Sequence, residues 1–148
     1  MSMRIRRLKS SGVMTLALGA LLGGALVWAP TAAAVAPTCT GSQSLIDGKY
    51  RLSNPIGFDT ANGRYTPSCT LHQGATGGGV KSLQRNLNYC YKTGLDVDGK
   101  FGAATFAAVK SVQRKVGVTV DGKYGPQTRA AMKWARWLDS TGQFDHCS

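Results

Sequence analysis

Glutamate is absent from the 148-residue sequence, and all seven acidic residues are aspartates. That absence removes the usual glutamic acid of sugar hydrolysis and any HExxH metallopeptidase helix. The aspartates are scattered, so there is no long acidic cluster for calcium. A phosphate loop is also missing. Gly74-Ala75-Thr76-Gly77-Gly78-Gly79 runs into Val80-Lys81-Ser82, which breaks the GxxxxGK[ST] spacing, and no strand pattern precedes it. This stretch reads as a flexible lead into a helix. With 43% hydrophobic and 17% charged residues, the chain is neither wholly disordered nor wholly membranous.

The first 34 residues have the layout of a secretory signal. Arg4, Arg6, Arg7 and Lys9 form a basic start, an apolar run extends from Val13 to Ala29, and Ala32 and Ala34 flank a cleavage position before Val35. The competing reading, an uncleaved anchor, has only a glycine-interrupted run at the short limit for a membrane span. The expectation is a secreted, extracellular protein with no stable membrane anchor. Removal of residues 1–34 lowers the formal charge from +11 to +7. Cys39, Cys69, Cys90 and Cys147 all remain, and an even count in a small exported protein reads as two disulfides with three connectivities open.

Residues 35–68 are predicted to be a loop-rich or short β-hairpin arm, punctuated by Asp47-Gly48, Asn54-Pro55 and Asn62-Gly63. Residues 69–148 are predicted to be a helical domain. Val80, Leu83, Leu87 and Tyr91 recur at helical spacing, and Gly94 is the expected stop. A second helix is predicted over Ala103–Val116, with Thr105, Ala108, Val109, Val112 and Val116 inward and Gly117 as its stop. A third is predicted from Pro126 to about Leu138, with Ala131, Met132, Ala135 and Leu138 inward. Short connections then favour a mainly α fold, a three-helix bundle stabilised by disulfides.

The sharpest feature is an ungapped internal repeat. Val97–Lys110 aligns with Val120–Lys133, and nine of the fourteen positions are identical. Upstream, Leu83-Gln84-Arg85 echoes Val112-Gln113-Arg114. Turn chemistry accounts for the shared residues. Asp98 and Asp121 bond the backbone ahead, while Gly99 and Gly122 supply positive φ. Phe101 and Tyr124 drop into the core, and Gly102 and Gly125 permit close approach at a helix start. Thr105 and Thr128 satisfy spare groups in the first turn.

The doubled pattern, Leu83-Gln84 then Val97-Asp98-Gly99-Lys100-Phe101-Gly102 with Thr105, and Val112-Gln113 then Val120-Asp121-Gly122-Lys123-Tyr124-Gly125-Pro126 with Thr128, resembles the peptidoglycan-binding domain attached to many bacterial wall hydrolases. The likeness covers about residues 69–138. The cysteine layout is similar to that of small exported actinobacterial versions. The resemblance implies a three-helix bundle that docks on cell-wall glycopeptide and supplies no catalytic centre. Residues 37–68 lie outside it, as would any hydrolase domain.

On that reading the candidate ligand-binding residues are Lys100, Lys123, Tyr124, Gln127, Arg129, Lys133 and Trp137. Gln84 and Gln113 belong with them, either as ligand contacts or as partners of neighbouring backbone. Arg129, Lys133 and Arg136, spaced by four and three, would give the last helix a basic face that attracts wall carboxylates. A solvated face and a core position for Trp134 are the plainer alternatives. Bundle geometry places the ends of the first and third helices at one pole, which predicts Cys90–Cys147 and leaves Cys39–Cys69 to pin the arm.

A zinc site built from Cys69, His72, His146 and Cys147 is disfavoured, because the last two are adjacent and export favours disulfides. No metal or cofactor is expected. Nucleic acid is disfavoured as a partner by the export signal and by the alanine-rich middle helix, which offers few base-reading side chains. The expected partner is peptidoglycan, through its glycan strands or stem peptides, and the protein is expected to be a wall-associated monomer without enzyme activity. The alternatives are a stand-alone wall hydrolase or peptidase, and an extracellular protein-interaction module.

Overall fold

A computed structural model of the chain describes residues 35–148, so the signal segment expected over residues 1–34 lies outside the described residues. The order of elements is β1 (Gly41–Asp47), β2 (Tyr50–Asp59), β3 (Arg64–Thr66), α1 (Gly78–Tyr91), α2 (Ala103–Val116), α3 (Pro126–Ala131), β4 (Ala135–Leu138) and β5 (Phe144–Cys147). Among the described residues no helix is long and apolar enough to cross a membrane.

The arm is a long antiparallel hairpin. β1 pairs with β2 from Gly41↔Ile56 to Asp47↔Tyr50, and Gly48, at φ 61°, turns the chain between them. The far end of β2 pairs with β3, and its near end pairs with β4 at Tyr50↔Leu138 and Arg51↔Trp137. Pro55 falls in the part of β2 between these two neighbours, where its missing N–H breaks no second ladder. β5 completes a five-stranded antiparallel sheet in the order β1-β2-β4-β5, with β3 also on β2.

These observations correct the expected mainly α three-helix bundle. The third helix ends at Ala131, and Met132 already has extended backbone, with ψ 148°. The cause lies on α1. The Asn86 side-chain amide donates to Lys133 O (3.0 Å), and its oxygen accepts the Ala135 N–H (2.8 Å). The Tyr91 hydroxyl accepts the Lys133 N–H at 2.8 Å. Three contacts thus hold residues 133–135 in extended form, and Trp134 exchanges backbone hydrogen bonds with Ser148. Met132, Ala135 and Leu138, spaced by three, suggest a helical stripe, but so short an apolar run does not fix the element type, and in β4 the same spacing puts Ala135 and Leu138 on opposite faces. One face of α1 therefore packs on the sheet, where a bundle would place a third helix.

The helical stripes otherwise line the core. Val80, Leu83 and Leu87 of α1, Val109 and Val112 of α2, and Phe101, Leu71 and Tyr124 from the connections are buried together with Met132 and Trp134. Tyr91 is half-buried at the edge. α1 stops two residues before the expected Gly94, with Lys92 in the left-handed region at φ 57° and its N–H on Asn88 O. α2 ends at Val116 and is capped by Gly117 at φ 74°.

The disulfides are Cys39–Cys69 and Cys90–Cys147, with Cα separations of 5.1 and 5.7 Å. The first joins the arm to the lead into α1. The second joins the end of α1 to β5, so Cys147 reaches α1 through a strand pair and not from the end of a long third helix.

Candidate functional site

Two matching networks, each centred on a buried glutamine, shape the helical half. Gln84 on α1 donates through Nε2 to Asp98 Oδ1 (2.9 Å), Lys100 O (3.1 Å) and Thr105 Oγ1 (3.2 Å), and its Oε1 accepts the Gly99 N–H at 2.9 Å. Gln113 on α2 repeats this with Asp121 Oδ1 (2.7 Å), Lys123 O (2.9 Å), Thr128 Oγ1 (3.1 Å) and the Gly122 N–H (2.8 Å). Asp98 and Asp121 each also accept the N–H of the lysine two residues on, closing the turn. Gly99 and Gly122 adopt φ 76° and 72°. A Cβ on Gly122 would lie 2.2 Å from Phe106 Cε2, so this position needs glycine for space as well as for conformation.

These bonds set the carboxylates' acidity. The amide of Gln84, then the Lys100 N–H, hold Asp98 below the usual range. Partial burial pushes Asp121 up, but the bonds from Lys123 N–H and Gln113 outweigh it and leave its carboxyl lowered. Both aspartates are committed to fixing backbone.

The two units differ in one respect. The glutamine-to-aspartate separation is 14 residues in the first and 8 in the second. α1 continues to Tyr91, seven residues beyond Gln84, whereas α2 stops at Val116, three beyond Gln113. The chain must then return from the longer helix along residues 92–97. Asn88 braces that return, donating to Leu95 O (2.7 Å) and accepting the Leu95 N–H (2.7 Å) and the Thr93 hydroxyl (2.9 Å). The result is a groove of about 740 Å³ between the end of α1, the return segment and α2. Its floor on α2 is made of small side chains, Ala103, Ala104, Ala107, Ala108 and Ser111. Its rim carries Lys92, Asp96, Asp98 and Lys100, two charges of each sign. Such a shallow, mixed-charge trough with an alanine floor suits an extended, amide-rich chain better than a compact apolar molecule.

The structure distributes the sequence-derived candidates over several places. Lys100 stands on the rim of this groove, and Gln84 lies beneath it, 1% exposed, with its amide used internally. Gln113 is equally buried at the second turn. Lys123 borders a separate depression with Thr70, Gln73 and Phe106. Tyr124 is fully buried against Trp134, and burial pushes its phenol well up. Gln127 and Lys133 are exposed, and Arg129 is half-buried with its carbonyl accepting the Trp134 indole N–H at 3.1 Å. Because α3 ends at Ala131, Arg129, Lys133 and Arg136 do not share a helix face. Arg136 instead pairs with Asp47 of β1 at 2.7 Å. Trp137 lies on the sheet, edge-on to Tyr89 with ring centroids 4.5 Å apart. The thiols weighed as zinc ligands, Cys69 and Cys147, are both in disulfides.

Sequence reasoning passed over Lys92, Asp96 and Tyr91 as groove residues. The signal was available as the unequal spacing between each glutamine and its aspartate.

Residues 76–132 match the family described as a putative peptidoglycan binding domain. That segment spans α1 to α3 and both glutamine-centred turns, and it excludes all five strands. The zinc D-Ala-D-Ala carboxypeptidase of Streptomyces albus G is 40% identical over 100 residues, which cover 66% of this chain and 35% of that protein. Two solved structures are also similar. The endolysin of Burkholderia AP3 phage is 40% identical, with 41% of this chain and 23% of that chain covered and a TM-score of 0.37. A peptidoglycan-binding protein from Clostridioides difficile, in complex with glutamine hydroxamate, is 27% identical, with 54% and 56% covered and a TM-score of 0.39. The chain therefore spans little more than a third of the carboxypeptidase and less than two thirds of either structural relative.

Proposed function

We propose, from the membership of residues 76–132 in the peptidoglycan-binding domain family, that this protein is an exported binder of bacterial cell-wall peptidoglycan that holds the polymer without cutting it. The observation that carries this reading is the family match over both glutamine-centred units. The trough beside the first unit supports it, with its alanine floor and its rim of Lys92, Asp96, Asp98 and Lys100. Stem peptides and N-acetyl groups present amides and carboxylates at the spacing of an extended chain, and such a rim offers partners of both signs. The non-cutting part of the reading rests on where the reactive groups are used. Asp98 and Asp121 fix turns, and all four thiols are in disulfides. Lys100 is the rim candidate that the sequence also singles out. Lys123, Gln127 and Lys133 are exposed candidates further away.

The test is retention of the purified protein on insoluble wall sacculi at low salt, with release at high salt. Passage of the protein through the sacculi unretained overturns the proposal. A second reading, wall hydrolysis, is favoured by the likeness to a protein named as a zinc carboxypeptidase. Zymography on wall substrate with and without chelator separates the two, since a clearing band abolished by chelator requires catalysis.

A further inference from the structure

A second groove, of about 630 Å³, lies between the sheet and α1, and half of its lining comes from outside the family segment. The register explains how it forms. Ser44 pairs with Ser53, and Arg51 pairs with Trp137. Period-two alternation puts Arg51 and Ser53 on one face of β2, and Ala135 and Trp137 on one face of β4. Opposite them, Ser82, Arg85, Asn86 and Tyr89 follow one stripe of α1. The arm, the carboxy-terminal hairpin and α1 thus converge on one cleft.

Its chemistry is one-sided. Among the described residues the lining holds two arginines and no acid. Arg51 is paired with Asp139 at 2.5 Å, whereas Arg85 is exposed and forms no ion pair among the described residues. Tyr89 is 38% exposed and stands against Trp137 and Phe144, with centroids 4.5 and 4.9 Å away. Aromatic walls with a polar tip accept the flat side of a ring while still hydrogen-bonding. A free guanidinium beside them is matched to a carboxylate, which it can hold with two parallel bonds.

We infer that this groove is a second ligand site, built by the arm and the carboxy-terminal hairpin, which takes an N-acylated amino sugar bearing a peptide carboxylate, with the carboxylate on Arg85 and the sugar against Tyr89 and Trp137. The volume falls within the range of about 300–1,000 Å³ found for small-molecule sites. The inference rests on the wall-binding reading for its choice of ligand. It assigns to residues 41–53 and 135–144 a role in recognition as well as in folding.

The test is an NMR titration of the ¹⁵N-labelled protein with muramyl dipeptide, run beside the sacculus assay. The expected result is a shift of the Trp137 indole N–H larger than that of Trp134. Arg85→Gln, a substitution at an exposed helix position, is expected to weaken the affinity by at least about tenfold, the usual scale for one hydrogen bond to a charged group. N,N′-diacetylchitobiose, which has no carboxylate, is expected to bind equally weakly to both proteins. Retention on sacculi with shifts confined to residues 92–111 overturns this inference and leaves the wall-binding reading intact. So does an unchanged affinity in Arg85→Gln. A Trp137 shift abolished by Arg85→Gln, without retention on sacculi, supports the groove and overturns the wall-binding reading.

Discussion

Gln113→Glu is the sharpest test of the glutamine-centred turns, because it changes charge and hydrogen-bond polarity but almost nothing in volume. Gln113 is 1% exposed, and its amide nitrogen lies 2.7 Å from Asp121 Oδ1. A glutamate there sets two carboxylates against each other and removes the donor that three acceptors share. The charge part of the cost has a ceiling. A glutamic acid of ordinary pKa about 4.3 can be kept protonated at pH 7 for about 4 kcal/mol, so repulsion cannot exceed that. Asp121 is exposed, and solvent screening brings the charge part to about 2–3 kcal/mol. The lost amide donation adds about 1 kcal/mol.

The pH dependence carries the mechanism. Below its raised pKa the new side chain is neutral, its hydroxyl donates to Asp121, and its carbonyl still accepts the Gly122 N–H. The destabilisation is therefore expected to fall to about 1–2 kcal/mol at pH 4.5, where only the lost second donor remains. The wild-type reference holds at that pH. Asp98 and Asp121 have lowered pKa values, so their contribution is fully present above the ordinary aspartate value of about 3.9 and disappears only as pH falls through the folded values. Urea unfolding followed by circular dichroism at pH 7 and 4.5, with the disulfides intact, measures the difference. Equal destabilisation at the two pH values would refute the charge argument, and a loss below about 1 kcal/mol at pH 7 would refute the network itself.

Gly122→Ala forces both a positive φ and a 2.2 Å contact with Phe106, and is expected to cost more than about 2 kcal/mol in urea unfolding. Gly142→Ala, at φ 67° with open space around it, is expected to cost only the backbone part of about 1 kcal/mol. The double substitution Cys90→Ser, Cys147→Ser opens a loop of 57 residues and is expected to lower stability by about 4 kcal/mol, with loss of β5 protection in amide exchange. Tyr124→Phe removes a buried hydroxyl that has no hydrogen-bond partner among the described residues, so its melting temperature is expected to stay level or rise; a fall of several degrees would mean that the hydroxyl is bonded.

The repeat was legible in the sequence because its physics is local. Asp-Gly turns, a glutamine one helix upstream and a threonine in the following turn all interact within 21 residues in the first unit and within 15 in the second. Such contacts leave a pattern of residue types at fixed spacing. The sheet left no such pattern. Its decisive contacts join Asn86 to Lys133 and Ala135, separated by 47 and 49 residues, and Arg51 to Asp139, separated by 88. Nothing about Met132-Lys133-Trp134-Ala135 says that an asparagine on another helix will hold it extended.

The longer first unit links the fold to both candidate sites. The part of α1 beyond Gln84 carries Asn86, which clamps the start of β4; Cys90, which anchors β5; and Tyr91, whose hydroxyl accepts the Lys133 N–H. The last turn of α1, which has no counterpart on α2, carries Tyr89 into the second groove, and it obliges the chain to return along residues 92–97, the wall of the first. The second unit, whose helix stops three residues past its glutamine, has no counterparts of Tyr89, Cys90 and Tyr91. Two nearly identical turn motifs therefore serve different ends. One closes the core, while the other supports a helix long enough to recruit the arm and the carboxy-terminal hairpin. Shortening α1 to the length of the second unit should thus remove both grooves together while leaving the Gln113 network intact, and amide exchange at Gly122 would report that independence.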